Sequence, residues 1–393
     1  MSGSETNRAR DVLDRAADRM LGATVLERFA IAVASTLLAL LLGSLVVAAS
    51  GYNPVRFGYA LVYGAFGSLS NVAFMLRQST MLILAGVAVA VAFRAGVFNI
   101  GVQGQFVVGG FATALTVLFL APHLPGGALG GVLLVCLGTV AAVLSGGAYA
   151  AIPGLMKAYA DANEVITTIM LNFIASGVIF FLVNGYLRPP DAVAPNTQPF
   201  PDYVDLPSVA FASPSFSVIG LGIALATVVV AYVVVNRTRF GYDLVTAGHQ
   251  QAAAAYSGVD PERNVVATMV FSGMIAGLAG AVFAVMILGY YSDPATFPRF
   301  GFDAIAVSLL AANNPLGVVP AGLLFGSLDA GGQYIDFTLN IPAELVDGII
   351  GLVVLFVATP ELFRMAGRHT GLGGRGSKES RSGQPESDGG DEA

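Results

Sequence analysis

The sequence predicts an all-α polytopic membrane protein of about ten transmembrane helices, with N- and C-termini in the cytoplasm. Three observations predict it. Apolar residues recur in stretches of about 20, the length that crosses about 30 Å of hydrocarbon. Only 11% of residues are charged and 55% are hydrophobic, with a mean hydropathy of +0.74, where a soluble chain carries roughly 25% charged residues. Arginines collect before the first apolar stretch and after the last.

The apolar segments run near 30–49, 79–93, 96–120, 129–152, 165–184, 215–235, 265–290, 302–313, 316–334 and 345–360. Residues 1–28 form a cytoplasmic N-terminal segment. Its charges, Arg8 to Arg28, precede the first span, so a cleavable signal peptide is not expected and that span stays as an anchor. The eighth segment is too short for a perpendicular crossing and ends at Asn313-Asn314-Pro315, so it is either tilted or half of a broken helix.

Orientation follows from the basic residues. Five arginines precede span one, and Arg364, Arg368, Arg375, Lys378 and Arg381 follow span ten. Both ends are then inside, which requires an even number of crossings. Ten crossings put Arg94, Lys157, Arg237, Arg239 and Arg263 inside, and the Pro- and Asp-rich stretch Arg188 to Asp205 outside. Arg56 and Arg77 fall in the first outer loop, where Pro54 to Ser70 suits an interfacial amphipathic helix.

The domain plan is the segment 1–28, a transmembrane body over 29–362 with an inner loop at 236–264, and a tail over 363–393 that is too polar to order itself. The net charge of −6 says little about a spanning body, since many of the acids lie in the tails. Cys136, the sole cysteine, cannot pair within the chain and is read as core packing.

The most informative patch is Arg94 to Gly110, polar and glycine-rich at the head of a membrane-length segment. Asn99, Gln103 and Gln105 find no water in hydrocarbon, so they need protein partners or a solvated cavity. Asn172, about two turns into span five, either faces a solute path or bonds a neighbouring helix. Asp303 reads as close to the outer surface, Asp329 as an internal contact, and Asp347 as near the outer end. Gly273-xxx-Gly277 and Gly322-xxx-Gly326 read as close helix packing. In the inner loop, alanines favour a short helix over Gln251 to Tyr256 between Gly248 and Gly258, and Asp260-Pro261 starts the next helix. Such a loop is either a partner contact or an ordinary connector.

Nothing reads as catalytic. Gly371-Leu-Gly373-Gly-Arg-Gly376 fits a dinucleotide fingerprint but follows no strand, and no P-loop is present. His123, His249 and His369 lie in different loops, and no cluster has metal-ligand spacing.

Four ordered stretches resemble the permeases of binding-protein-dependent ABC importers, in the branch serving ribose-type sugars and nucleosides. They are Phe98 to Gln105, Asn163 to Asn172, Ala247 to Gly258 and Gly301 to Ala311, and the match spans roughly residues 30 to 360. The Asn163 stretch looks more like the nucleoside permeases, while some similar permeases serve glucose. The resemblance implies a multi-pass plasma-membrane subunit that dimerises with itself or a paralogous permease. It implies two ATPase subunits, which bind ATP and Mg so that this chain needs no cofactor, and an extracellular solute-binding lipoprotein; no nucleic-acid partner is expected.

By the same resemblance Ala247, Gly248, Gln251, Ala254, Tyr256 and Gly258 belong to a coupling helix seated on the ATPase. Asn99, Gln103, Gln105, Asn172 and Asp329 are candidates for the substrate path. Gln103 stands where many relatives carry Glu, and Ala255 where many carry Arg. The competing class is a stand-alone secondary transporter coupled to H⁺ or Na⁺, for which Asp329 is the lone plausible ion-coupling carboxylate.

Overall fold

The computed structural model describes residues 25–206, 216–249, 258–339, 341–342, 344–352 and 355–356. Residues 43–350 form one unit, and the residues before and after them form a second. The described regular structure is helical throughout.

Helix α1 covers Val25–Ala49. Helix α2, Pro54–Phe66, starts where Asn53 accepts hydrogen bonds from the Val55 and Arg56 amides, with Pro54 at its first position. It occupies the place given to an amphipathic helix. The next is α3, Leu69–Arg94, capped by Ser68 on the Asn71 amide. Helices α4, Val102–Leu120, and α5, Ala128–Ala160, follow. Helix α6, Glu164–Leu182, is capped by Asn163 and extended by a π turn over Val183–Leu187. Helix α7, Val218–Arg237, is followed directly by α8, Arg239–His249. Helix α9, Pro261–Phe283, continues in a π turn over Ala284–Leu288. Helices α10, Phe300–Leu310, and α11, Val318–Leu339, and helical residues 344–352 complete the unit.

Six of these are long and apolar enough to cross a membrane among the described residues: Leu69–Arg94, Val102–His123, Ala128–Ala160, Glu164–Leu187, Val218–Arg237 and Pro261–Leu288. Several expected boundaries move. The second segment begins at Leu69, ten residues before the expected 79, so Arg77 lies inside α3 and not in a loop. The third begins at Val102 because residues 95–101 are not helical. Cys136 is exposed on α5 rather than packed in the core, a place that a small apolar side chain tolerates in a chain that spans lipid. The calls on residues 1–24, on Gln251 to Tyr256 and on the tail from 363 lie outside the described residues.

Asp260 accepts from the Arg263 amide and Pro261 opens α9, as its sequence signals predict. At the other marked stop, α10 ends in a turn with Ala312 and Asn313 at positive φ. There the Asn313 amide donates to the Ser308 carbonyl at 2.9 Å. At 11 residues α10 spans only about 16 Å, half of a hydrocarbon core.

Glycines set the centre of the unit. A Cβ on Gly277 would lie 2.1 Å from the Ala142 carbonyl, and one on Gly109 would lie 2.4 Å from the Gly277 Cα. One on Gly280 would lie 2.1 Å from the Phe106 carbonyl. Backbones of α4, α5 and α9 therefore touch directly, the close approach that small residues permit in membrane helices. Gly322 and Gly326 do the same for α11 against Ile83 and Ser79 of α3.

Candidate functional site

The polar patch after α3 is a re-entrant turn. Ala95, Gly96 and Val97 close α3 with amide bonds to the Ala92 and Phe93 carbonyls, and Gly96 takes a φ of +69° that favours glycine. The chain then turns back into the bundle. Asn99, fully buried, bonds Ser272 of α9, and Ser272 Oγ donates to the Ala88 carbonyl at 2.7 Å. Ala88 precedes Arg94 by six residues, so Asn99 sits about 9 Å inside the end of α3.

Both side-chain polar atoms of Asn99 are engaged. Its Nδ2 donates to Gln105 Oε1 at 2.9 Å and to Ser272 Oγ at 2.8 Å. Its Oδ1 accepts from Gln105 Nε2 at 3.0 Å and from the Gly101 amide at 3.1 Å. This reciprocal amide pair meets the demand of a water-free interior with protein groups. Gln103 holds a different element: its Oε1 accepts from the Gly301 amide at 2.8 Å, and its Nε2 donates to the Pro298 carbonyl at 3.1 Å. It thereby caps the first turn of the half-helix α10, which has no side-chain cap from its own residue Arg299. Asn172 of α6 accepts from the Gly104 amide at 2.7 Å and donates to the Ile100 carbonyl at 2.9 Å. The two irregular segments, 95–101 and 289–299, are thus tied through α4.

Aromatic side chains fill the space behind this tie. Phe106 packs on Phe283 and Phe300, and Phe283 on Phe297. Tyr291, fully buried, donates to the Val107 carbonyl at 2.6 Å. The proline-rich stretch folds onto this segment, with the Thr197 and Phe200 amides donating to the Tyr291 and Gly289 carbonyls.

Asp329 lies elsewhere, on α11 against α3. Gln78 donates to its carboxylate, and Gln333 also bonds it. Arg77 is within its electrostatic reach, stacks on the Phe74 ring at 4.2 Å, and has an Nε with no partner among the described residues. Asp303, expected at the surface, sits in the first turn of a helix that starts within the bundle. It is exposed on this chain while lying within electrostatic range of Asp329 and Asp347. Asp329 therefore belongs to a polar group separate from the four amides. Gln78, Ser79, Thr80 and Ser272 are buried and were missed. The run Arg77-Gln78-Ser79-Thr80, four polar residues at the edge of an apolar segment, is the signal that points to them.

The third grouping is where α8 meets the re-entrant turn. Leu244 and Ala247 are buried, and Leu244 packs with Ala95, Val97, Val265 and Met269. A cavity of about 280 Å³ adjoins them, lined among others by Gly96, Lys157, Gly248, Asn264 and Thr268. Lys157 pairs with Glu164 at 2.6 Å, and Arg94 donates to Asn236 Oδ1 at 2.7 Å. Gly258 is exposed with φ +81°, while Gln251, Ala254 and Tyr256 lie outside the described residues.

Residues 71–358 match the family of the branched-chain amino acid transport system permease component. The chain belongs to this family. Two guanosine ABC transporter permeases of Bacillus subtilis are similar to it. One is 34% identical, covering 84% of this chain and 92% of the relative; the other is 27% identical, covering 68% and 84%. A glucose ABC transporter permease of Haloferax volcanii is 32% identical, covering 84% of this chain and 87% of the relative. No solved structure matches. The permease is therefore a multi-pass transport subunit of an ABC importer in the cell membrane, and this assignment decides against a stand-alone ion-coupled transporter. An ABC permease works with separate ATPase and binding-protein components.

Proposed function

We propose that this permease forms the path for uptake of a nucleoside or a monosaccharide, with ATP and Mg held by separate ATPase subunits. The observation that carries the solute class is similarity over 84% of the chain to permeases named for guanosine and for glucose. Both solutes are neutral and rich in hydroxyls, which amide and carboxylate groups recognise by hydrogen bonding. Asn99, Gln105 and Asn172 act from behind the path by holding the re-entrant turn, while Asp329 and Gln78 offer carboxylate and amide groups to hydroxyls.

Ten crossings with both termini in the cytoplasm are the proposed topology. The crossings are α1, α3 to α7, α9 to α11 and the helix at 344–352; α10 is a half-crossing completed by the irregular segment before it. The cytoplasmic side is then the Arg94 end, where Lys157, Arg237 and α8 also lie. Ala247 to Gly258 contacts the ATPase by this reading. The presence of two guanosine permeases in one organism among the relatives supports pairing with a second, different permease.

The test is reconstitution with the ATPase, the second permease and the binding protein in proteoliposomes. ATP-dependent accumulation of labelled guanosine or glucose is expected, and competition between them identifies the solute. Uptake that persists without ATPase subunits overturns the reading.

A further inference from the structure

We propose that Gly96 and Gly248 form a rigid joint through which motion of the inner loop reaches the half-helix α10. The proposal rests on the ATPase contact assigned to that loop. At this joint two backbones meet with no side chain between them. A Cβ on Gly248 would lie 2.3 Å from the Ala95 carbonyl oxygen, and one on Gly96 would lie 2.8 Å from the Gly248 oxygen. Side-chain contacts absorb small displacements by changing rotamer, whereas a backbone-to-backbone contact passes them on. Gly96 is also committed to its left-handed conformation, so the turn has little freedom to flex there.

Beyond the joint the chain is held at short intervals. Val97 packs in the cluster with Leu244, Val265 and Met269. Asn99 is locked to Gln105 and Ser272, and Asn172 grips Ile100 and Gly104. Gln103 then holds Pro298 and Gly301 at the start of α10. Residues 95–105 therefore move as one body, held to α6 and α9 along its length and touching α8 at one end and the start of α10 at the other. The cavity of about 280 Å³ beside Gly96 and Gly248 leaves room for α8 to shift without a clash. Since α10 begins within the bundle, displacing its first turn changes the wall of the interior at the depth where the two irregular segments meet. Gly96, Gln103 and Gly248 are positioning residues in this scheme; none needs to touch solute.

The test uses the assembled importer in proteoliposomes, with solute uptake and ATP hydrolysis measured on the same sample. Gly96→Ala places a methyl against the Gly248 oxygen and strains the turn. Uptake is expected to fall about tenfold while ATP hydrolysis by the assembly persists, so that more ATP is consumed per solute moved. Parallel loss of both activities in a fully assembled complex, or unchanged uptake, overturns the proposal. Should Gly96→Ala fail to assemble, hydrogen exchange on the unsubstituted importer decides. Trapping the ATP-bound state should change exchange in 244–249, 95–105 and 298–303 together; a change confined to 244–249 overturns the joint. Exchange does not depend on which solute is carried. Failure of the underlying reading is separately visible, as no ATPase binding and no exchange change at 244–249.

Discussion

Helices α3 and α9 and helices α5 to α7 are all of membrane length, yet they live in different solvents. The most apolar stretches of α3 and α9 are 78% and 72% buried, whereas those of α5, α6 and α7 are 28%, 22% and 28% buried. The least apolar of the five, α3, is the most buried, and the most apolar, α7, is largely exposed. A soluble protein would show the reverse. Lipid tails welcome leucine and valine as readily as a core does, so hydrophobicity does not draw these helices inward. Polar side chains and glycine do, through hydrogen bonds that lipid cannot supply and backbone contacts that larger residues forbid. Gln78, Ser79 and Thr80 on α3 and Ser272, Gly273 and Gly277 on α9 are such residues. Ile166, Phe173, Val229 and Val230, on α6 and α7, are exposed.

The largest effect that breaks this contrast is expected at Gly277. Gly277→Leu drives a side chain into the Ala142 and Gly109 backbones and should cost about 3 kcal/mol or more. Detergent-solubilised protein would show it as loss of a cooperative thermal transition. Asn99→Leu comes next, because it leaves Gln105 and Ser272 buried with lost partners. Destabilisation of about 2 kcal/mol is expected. Adding Gln105→Leu should cost less than the sum of the two single changes, and strict additivity would show that the amide pair is not a unit. The smallest effect belongs to the outward face. Val230→Leu exchanges one apolar group for another toward lipid and should shift stability by less than about 0.5 kcal/mol. A loss comparable to Asn99→Leu would mean that this face is covered by protein.

Much of the fold was legible. Asp260-Pro261 and Asn313-Asn314-Pro315 mark a helix start and a helix stop through cap and turn chemistry that a few adjacent residues complete. The two GxxxG pairs announce close packing because no other residue type lets backbones touch. The start of α3 was misplaced by ten residues because a polar run looks like a loop when its partner, Asp329, is 251 positions away. The patch at Asn99 was found, but its depth was not. Arg94 nearby says nothing of depth, which is set by Ser272, 173 positions along the chain.

What the sequence by itself determined is therefore the solvent and the class. Segment length, apolar content and arginine placement are properties of each stretch against lipid and water, and the ordered motifs identify the family. Tertiary structure alone decided which polar groups meet. Gln103 at the head of α10, Asn172 on the turn and Gly248 against Gly96 each depend on a partner far along the chain. Hydrocarbon cannot satisfy an amide, so each must find its partner in the protein, and only the packed bundle specifies which one.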